Sequence, residues 1–168
     1  GDHRDLHSFP TRRSSDLYDY SRSGGYFLTL CTQGRAPILS EIVGCGIPDA
    51  PLVRLSETGR CVQDAMDYLA GHDAQIQIAA SVIMPNHVHI LLCVCGEGNG
   101  ASGMPRPTGM RVPSFVSSLK RYTNRVCGRP LWQGSYHDHI IRDENDLLNH
   151  WSYIEHNPAR WAEDEYHV

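Results

Sequence analysis

Residues 76–94 read IQIAASVIMPNHVHILLCV, and this stretch decides the fold of the chain. Two apolar runs, Ile76–Met84 and Val88–Val94, are separated by the dipeptide Pro85-Asn86. Proline followed by asparagine favours a tight turn, so the sequence predicts a β-hairpin. The sequence on both sides predicts which strands and helices accompany this hairpin.

The other elements are predicted from hydrophobic periodicity and from capping residues. Strands are predicted at 26–32 and 135–142, with a possible short strand around Ile42 in a loop over 38–51. Helices are predicted at 56–69, 113–127 and 143–157. Gly71, Gly128 and Pro158 are expected to end these three helices in turn. The order β-α-β-β-α-β with a further helix predicts an α+β, ferredoxin-like (split βαβ) fold. It would have a four-stranded antiparallel sheet, helices on one face and an additional C-terminal helix.

Length and composition favour a single soluble domain. The chain has 168 residues and contains no run approaching the roughly 20 apolar residues that a membrane span needs. Residues 1–17, GDHRDLHSFPTRRSSDL, share no periodicity with the rest. We interpret them as an artefactual or tag-like leader, expected to be disordered, before a single domain at 18–168. The six cysteines include no CxxC pair, which favours reduced thiols and a cytoplasmic location.

The net charge of −4 conceals a basic middle segment and an acidic C-terminal one. Between residues 106 and 142 the only acid is Asp138, and the bases are Arg106, Arg111, Lys120, Arg121, Arg125, Arg129 and Arg142. A local basic patch can bind phosphate groups whatever the total charge is. Nucleic acid therefore remains a possible partner of this chain.

His87 and His89 open the second strand of the hairpin. Side chains on a strand alternate between its faces, so both imidazoles project from the same face, about 7 Å apart at their bases. Two such imidazoles can bind one divalent ion. A half-buried strand with two polar positions would also explain the pattern.

Two tyrosines are candidates for a nucleophile, and their helical positions separate them. Tyr122 falls within the apolar stripe of its predicted helix, so we expect a core residue. Tyr153 lies away from the apolar stripe of the last helix, four residues before Asn157. Asn157 or His156 could supply a third ligand to an ion held by the histidines. The ion would then polarise a phosphodiester for attack by the Tyr153 hydroxyl.

Four segments together resemble the REP-associated tyrosine transposases, which are single-tyrosine transposases of the HUH endonuclease superfamily. The segments are MPNHVHIL (84–91), LWQG (131–134), YHDHIIR (136–142) and YIEHNP (153–158). The resemblance covers about residues 18–165. It implies cleavage of single-stranded DNA at palindromic hairpins, through a 5′-phosphotyrosine intermediate, with Mg²⁺ or Mn²⁺ as cofactor. It assigns His87 and His89 to the metal and Tyr153 to the nucleophile, and it places Asn157 where these transposases carry a glutamine ligand.

The resemblance also implies a nucleoid-associated protein that binds hairpin DNA as a monomer or homodimer and has no contact with a membrane. Residues expected to contact DNA are Arg111, Lys120, Arg121, Arg125, Arg129, Trp132, Gln133, His139 and Arg142. His137-Asp138-His139 could be a rival metal site, but Arg142 and the preceding Trp132-Gln133-Gly134 favour DNA contact or packing on the face of the sheet. Two other functions stay open: a non-catalytic nucleic-acid-binding module on the same fold, and a small zinc-dependent hydrolase.

Overall fold

The computed structural model describes residues 24–44, 51–95 and 111–167. In these residues, four antiparallel strands form the main sheet, in the order β4-β5-β1-β6. They are β1 (Gly25–Cys31), β4 (Ile76–Ile83), β5 (His87–Val94) and β6 (His137–Ile141), and a separate ribbon pairs β2 (Ser40–Val43) with β3 (Leu52–Leu55). The order and antiparallel pairing of the four strands are those of the ferredoxin-like arrangement, so this prediction is confirmed.

Three α-helices of the described chain cover the two faces of the sheet. They are α1 (Glu57–His72), α2 (Arg111–Val126) and α3 (Glu144–His156), and a 3-10 helix at Pro158–Glu163 follows α3. Helices α1 and α2 share one hydrophobic core with the sheet, whereas α3 belongs to a second, smaller core on the other side. The predicted division into two helices on one face and an additional C-terminal helix is therefore confirmed.

Strand β5 is buried along its whole length, which is expected for a central strand with both faces covered. Val88, Ile90 and Leu92 point into the core shared with α1 and α2. Leu91 points the other way, into the core beneath α3. Because side chains alternate along a strand, His87 and His89 lie on the same face as Leu91. The histidine pair is consequently covered by the C-terminal part of the chain.

The structure differs from the sequence predictions at three places. Leu52–Leu55, just beyond the predicted loop and without a predicted element, is a strand paired with Ser40–Val43. Gly71 does not end α1, which continues for one more residue and has Asp73 as its C-cap. Tyr122 is 39% exposed and not a core residue. The prediction for residues 1–17 lies outside the described residues.

Helix α3 starts at the N-cap Asp143 and ends at His156, two residues before Pro158. The side chain of Asp143 accepts a hydrogen bond from the Asp146 amide, which satisfies one of the free N–H groups at the helix start. At the end of α2, Gly128 has a φ of 66°, a left-handed conformation that glycine adopts without strain. Within the described residues, no helix is long and apolar enough to span a membrane.

Gly59 is the residue that lets α1 approach the segment before β2. It is buried in the first turn of the helix, where its amide donates to the N-cap Ser56 Oγ at 3.0 Å. A β-carbon at position 59 would overlap the carbonyl oxygen of Leu39. That overlap is with backbone, so neither group can move aside without moving a strand or a helix.

We expect Gly59→Ala to lower the free energy of unfolding by about 1–3 kcal/mol, the usual cost of overpacking a filled site. Gly71→Ala is the matched control, because it lies in the same helix with nothing within 4 Å of its added β-carbon. Alanine favours a helix, so this control should be neutral or stabilising by up to about 1 kcal/mol. Urea denaturation measures both, and equal stability of the two variants would contradict the proposed overlap.

Candidate metal and tyrosine site

The two histidines of β5 are buried and held by hydrogen bonds through their Nδ1 atoms. His87 is 0% exposed and His89 is 1% exposed. His87 Nδ1 lies 2.9 Å from Asn86 Oδ1, and His89 Nδ1 lies 2.8 Å from Thr29 Oγ1. The amide group of Asn86 is oriented by its own donation to the Tyr166 carbonyl at 2.7 Å. These contacts orient both rings and use only the Nδ1 atoms, so the Nε2 atom of each ring remains available for another interaction.

A carboxylate from the end of the chain completes the cluster. Asp164 Oδ2 lies 4.0 Å from His87 Nε2, and the ligand atoms of His87, His89 and Asp164 all lie within 4.8 Å of one another. Asn157 fixes this carboxylate, since its Nδ2 donates to Asp164 Oδ2 at 2.9 Å. The Tyr166 amide donates to the other oxygen, Oδ1, at 2.7 Å.

Three buried side-chain atoms lack a hydrogen-bond partner among the residues that the structure describes, and all three belong to this cluster. They are His87 Nε2, His89 Nε2 and Asn157 Oδ1. A buried polar atom without a partner costs about 1–3 kcal/mol, so such atoms are rarely grouped without a reason. Imidazole nitrogens with oxygen ligands are a donor set that divalent metal ions accept. The residues therefore fit a divalent cation.

Burial keeps both imidazoles in the form that binds metal. Burial lowers the pKa of His87 to about 4, although the nearby Asp164 carboxylate opposes the change. Burial also lowers the pKa of His89 well below its ordinary value, and the neighbouring His87 and His150 add to the effect. Both rings are neutral at neutral pH as a result, and a neutral imidazole has a lone pair to donate to a metal.

Tyr153 of α3 lies directly beside the histidine pair. Its ring contacts the ring of His89 edge to face, with the centroids 5.1 Å apart. The side chain is 39% exposed and, with His89 and Glu165, lines a surface pocket of about 530 Å³. A phenol in this position can reach both the cluster and a molecule bound in the pocket.

The surroundings of Tyr153 disfavour the phenolate. Burial and the carboxylates of Asp164 and Glu165 raise the pKa of Tyr153, and contacts with Asn157 and Arg160 lower it by less. The phenol is therefore protonated at neutral pH. A cation beside Asp164 would offset the negative charge that holds the proton.

Comparisons with known proteins agree with the motifs in the sequence. No protein-family model matches the chain. An uncharacterised protein of Haemophilus influenzae is 27% identical over 174 residues, which cover 94% of this chain and 93% of that protein. A second protein of that organism, provisionally named a REP-associated tyrosine transposase, is 26% identical over 88 residues, half of each chain. A solved structure of a REP-associated tyrosine transposase bound to a REP hairpin shares the fold, with a TM-score of 0.59 and 20% identity over 92% of this chain and 75% of that one.

The resemblance to the REP-associated tyrosine transposases is confirmed. The sequence motifs of that family indicated His87, His89 and Tyr153, and the structure brings these three side chains together. Asn157, expected where the transposases carry a glutamine, is 3% exposed and lies at the cluster through its bond to Asp164.

His156, the alternative third ligand, is not brought to the histidine pair. Its side chain is exposed, and its Nδ1 lies 2.7 Å from the Ser152 carbonyl oxygen, on its own helix. The carboxylate of Asp164 takes the place next to His87. Sequence reasoning missed Asp164 because it belongs to an acidic segment that resembles an ordinary solvated tail. The sequence feature that could have indicated Asp164 is its position seven residues after Asn157, with a short 3-10 helix between them.

Trp132, one of the residues expected to contact DNA, lies instead in the hydrophobic core. It is 5% exposed, and its Nε1 donates to Thr123 Oγ1 at 2.8 Å. Lys120 is also engaged within the protein, donating to the carbonyl oxygens of Gln133, Gly134 and Ser135.

The other predicted DNA contacts divide between the two sides of the sheet. Helix α2 packs on the face opposite the histidines, so the cations that it carries lie away from Tyr153. Among them, Arg111 pairs with Asp73 at 3.4 Å and Arg125 lies over the ring of Tyr122. Two further cations expected to contact DNA, Arg121 on α2 and Arg129 just after it, are both exposed. His139 lines the pocket beside Tyr153, and Arg142 is exposed one residue after β6.

We expect the metal-free protein to lose stability as the pH falls from about 6.5 to about 4. His87 has a folded-state pKa near 4 and an unfolded-state pKa near 6.5, so the unfolded state binds more protons between these values. The difference is worth about 3 kcal/mol when the transition is complete. His87→Gln should flatten this part of the stability–pH curve, measured by urea denaturation, whereas His72→Gln, at an exposed position, should not. Identical curves for wild type and His87→Gln would refute the assignment.

We expect Asp164 to contribute to divalent-ion affinity. An ion that binds only the folded state raises its stability by about 2.7 kcal/mol at one hundred times the Kd. Mn²⁺ should therefore raise the Tm of the wild type, and Asp164→Asn should lose most of that increase. Glu163→Gln is the control, since Glu163 is exposed and pairs with Arg160. An unchanged Mn²⁺ response in Asp164→Asn would remove Asp164 from the ligand set.

Proposed function

We propose that this chain is a metal-dependent, single-tyrosine DNA endonuclease and strand transferase of the HUH class, acting on single-stranded hairpin DNA. The observation that carries the proposal is the position of Tyr153. Its ring lies 5.1 Å from that of His89, beside two buried imidazole nitrogens that have no hydrogen-bond partner in the described chain. Hairpin DNA as substrate is supported by the similar transposase, which was solved with a REP hairpin bound.

In this proposal His87, His89 and Asp164 hold a Mg²⁺ or Mn²⁺ ion. When bound, the ion would polarise the scissile phosphodiester and offset the charge of Asp164 that raises the pKa of Tyr153. Asn157 positions Asp164 through its hydrogen bond, and its buried Oδ1, which has no hydrogen-bond partner in the described chain, could serve as a further ligand.

The chemistry is a transesterification at phosphorus. The phenolic oxygen of Tyr153 forms a bond to the phosphorus as the bond from phosphorus to the DNA 3′ oxygen breaks. The phenol loses its proton and the departing 3′ oxygen gains one, which leaves a free 3′-OH and a 5′-phosphotyrosine. The energy of the broken ester is retained in the new one, so a 3′-OH can reverse the step without a nucleotide cofactor.

The proposed site is complete within one chain, because Tyr153 and the histidines are brought together by a single copy of the fold. A non-catalytic nucleic-acid module gives no reason to bury two unpartnered imidazole nitrogens beside a tyrosine. A metal-dependent hydrolase has one observation in its favour, since Glu165 lines the pocket next to Tyr153 and could activate water. In a hydrolase, however, DNA would be cleaved without becoming attached to the protein.

We expect Tyr153→Phe to abolish the covalent protein–DNA adduct that wild-type protein forms with a single-stranded hairpin oligonucleotide and Mn²⁺. Removal of the hydroxyl leaves the ring and its contacts with His89 and Phe27, so binding of the oligonucleotide should be preserved. Denaturing electrophoresis and intact-protein mass measure the adduct, and fluorescence anisotropy measures binding.

Tyr122→Phe is the matched control, because Tyr122 is also 39% exposed but lies on α2, on the other side of the sheet. It should form the adduct at the wild-type level. An adduct that persists in Tyr153→Phe would move the nucleophile elsewhere. Cleavage by wild-type protein without any adduct would replace the transferase with a hydrolase.

A further inference from the structure

A second cluster of metal-ligating side chains lies on the sheet edge beside the tyrosine pocket. His139 of β6 and Asp146 and His150 of α3 place their ligand atoms within 4.8 Å of one another. His139 Nε2 is 2.9 Å from Asp146 Oδ2, and His150 Nδ1 is 3.1 Å from Asp146 Oδ1. One carboxylate thus has an imidazole nitrogen at each of its oxygens.

The local structure preorganises this cluster. The connection from β6 to α3 is short, and the Arg142 amide within it donates to Asp146 Oδ2 at 3.0 Å. Asp146 and His150 are one helical turn apart and lie on the same side of α3. The rings of His139 and His150 are stacked, with centroids 4.7 Å apart and an angle of 24° between their planes. Two imidazoles are therefore held side by side on a fixed carboxylate.

The cluster is separate from the first histidine pair but opens into the same pocket. The ring of Phe27 lies between them, with its centroid 5.1 Å from that of His89 and 4.6 Å from that of His150. His139 and His150 line the pocket of about 530 Å³ that Tyr153 also lines. The side chain of His139 is 42% exposed and that of His150 is 23% exposed, so an ion could enter from solvent.

We propose that His139, Asp146 and His150 form a second divalent-metal site with two nitrogen ligands and one oxygen ligand. Two imidazoles and a carboxylate are the donor set of many open zinc sites, and first-row ions such as Zn²⁺ and Co²⁺ bind them better than Mg²⁺ does. An ion with three protein ligands would keep a further coordination position, and His139 and His150 both line the pocket. An anionic oxygen, such as one from a phosphate group, is the chemistry that would occupy it.

The carboxylate is suited to this role. Burial disfavours its ionisation, but hydrogen bonds from His139 and the Arg142 amide outweigh it and lower the pKa of Asp146. Asp146 is thus ionised at neutral pH. The sequence pattern His137-Asp138-His139 had suggested a rival metal site, and only His139 of that pattern joins the cluster.

The test is the zinc content of the full chain, measured by equilibrium dialysis against Zn²⁺ at neutral pH. The double variant His139→Gln/His150→Gln should bind one Zn²⁺ per chain fewer than the wild type. Asp146 is left intact because it accepts the Arg142 amide. His72→Gln is the matched control. Like His150, His72 places its Nδ1 near the carbonyl oxygen four residues before it, at 2.8 Å. Among the described residues, however, His72 belongs to no cluster of metal-ligating side chains. It should bind as much Zn²⁺ as the wild type.

Equal zinc content in the wild type and the double variant would overturn the proposal, as would a wild type that binds no Zn²⁺. If the double variant fails to fold, as judged by circular dichroism, each single variant should show the same loss. Absorption of bound Co²⁺ gives a second readout, since the visible bands contributed by this site should disappear in the variants. None of these substitutions alters His87, His89, Asp164 or Tyr153, so the result is independent of whether the DNA adduct forms.

Discussion

The candidate site depends on two buried imidazole nitrogens that have no hydrogen-bond partner among the residues that the structure describes. Their burial is a consequence of the sheet, because the histidines open β5, the one described strand in which every residue is buried. A buried polar atom left unpaired opposes folding, and a protein retains it only where something else is gained. The second hydrogen-bonding atom of each ring is satisfied, so the free Nε2 atoms are not the result of loose packing. An ion between them would convert the cost of their burial into a contribution to stability.

The fold separates stability from chemistry by assigning them to opposite faces of the same strands. Along β5, Val88, Ile90 and Leu92 alternate with His87 and His89, so a single strand supports the large core and presents the candidate metal ligands. Helices α1 and α2 fill the first face with apolar side chains. The second face carries a small core, and the remaining area is left for aromatic and titratable groups. A rigid strand, positioned by the larger core, is a precise support for a catalytic group.

Much of this arrangement could be predicted from the sequence, and the exceptions have physical reasons. The hairpin, the strand order and the caps of α3 follow from local patterns that act over a few residues. The pairing of His87 with His89 follows from the period of a strand. The ribbon strand Leu52–Leu55 was missed because it has no alternation of its own and is stabilised by its partner, Ser40–Val43. Asp164 was missed because nothing local distinguishes a ligand carboxylate from a solvated one.

Tyr122 and Trp132 are two further residues whose exposure the local sequence does not determine. Helical periodicity placed Tyr122 in the apolar stripe of α2, but periodicity gives an angle and not the distance to the neighbouring helix. Tyr122 instead stacks on Tyr68 of α1 at the surface, with centroids 6.5 Å apart. Trp132 follows a loop and carries no periodic signal, and its burial depends on Thr123, which accepts its N–H. For both side chains, contacts with residues elsewhere in the fold determine how exposed the ring is.

The candidate metal site joins distant parts of the chain, and this has a consequence for folding. His87 and His89 come from the central strand, whereas Asp164 and Tyr166 come from the segment after the last helix. That segment contacts the site through the donation from Asn86 to the Tyr166 carbonyl and from Asn157 to Asp164. An ion that bridges strand and tail would add to these contacts and stabilise the attachment of the tail. Metal binding and the attachment of the C-terminal segment would then be coupled, and the segment that carries the candidate ligand Asp164 also lines the pocket beside Tyr153, through Glu165 and Tyr166.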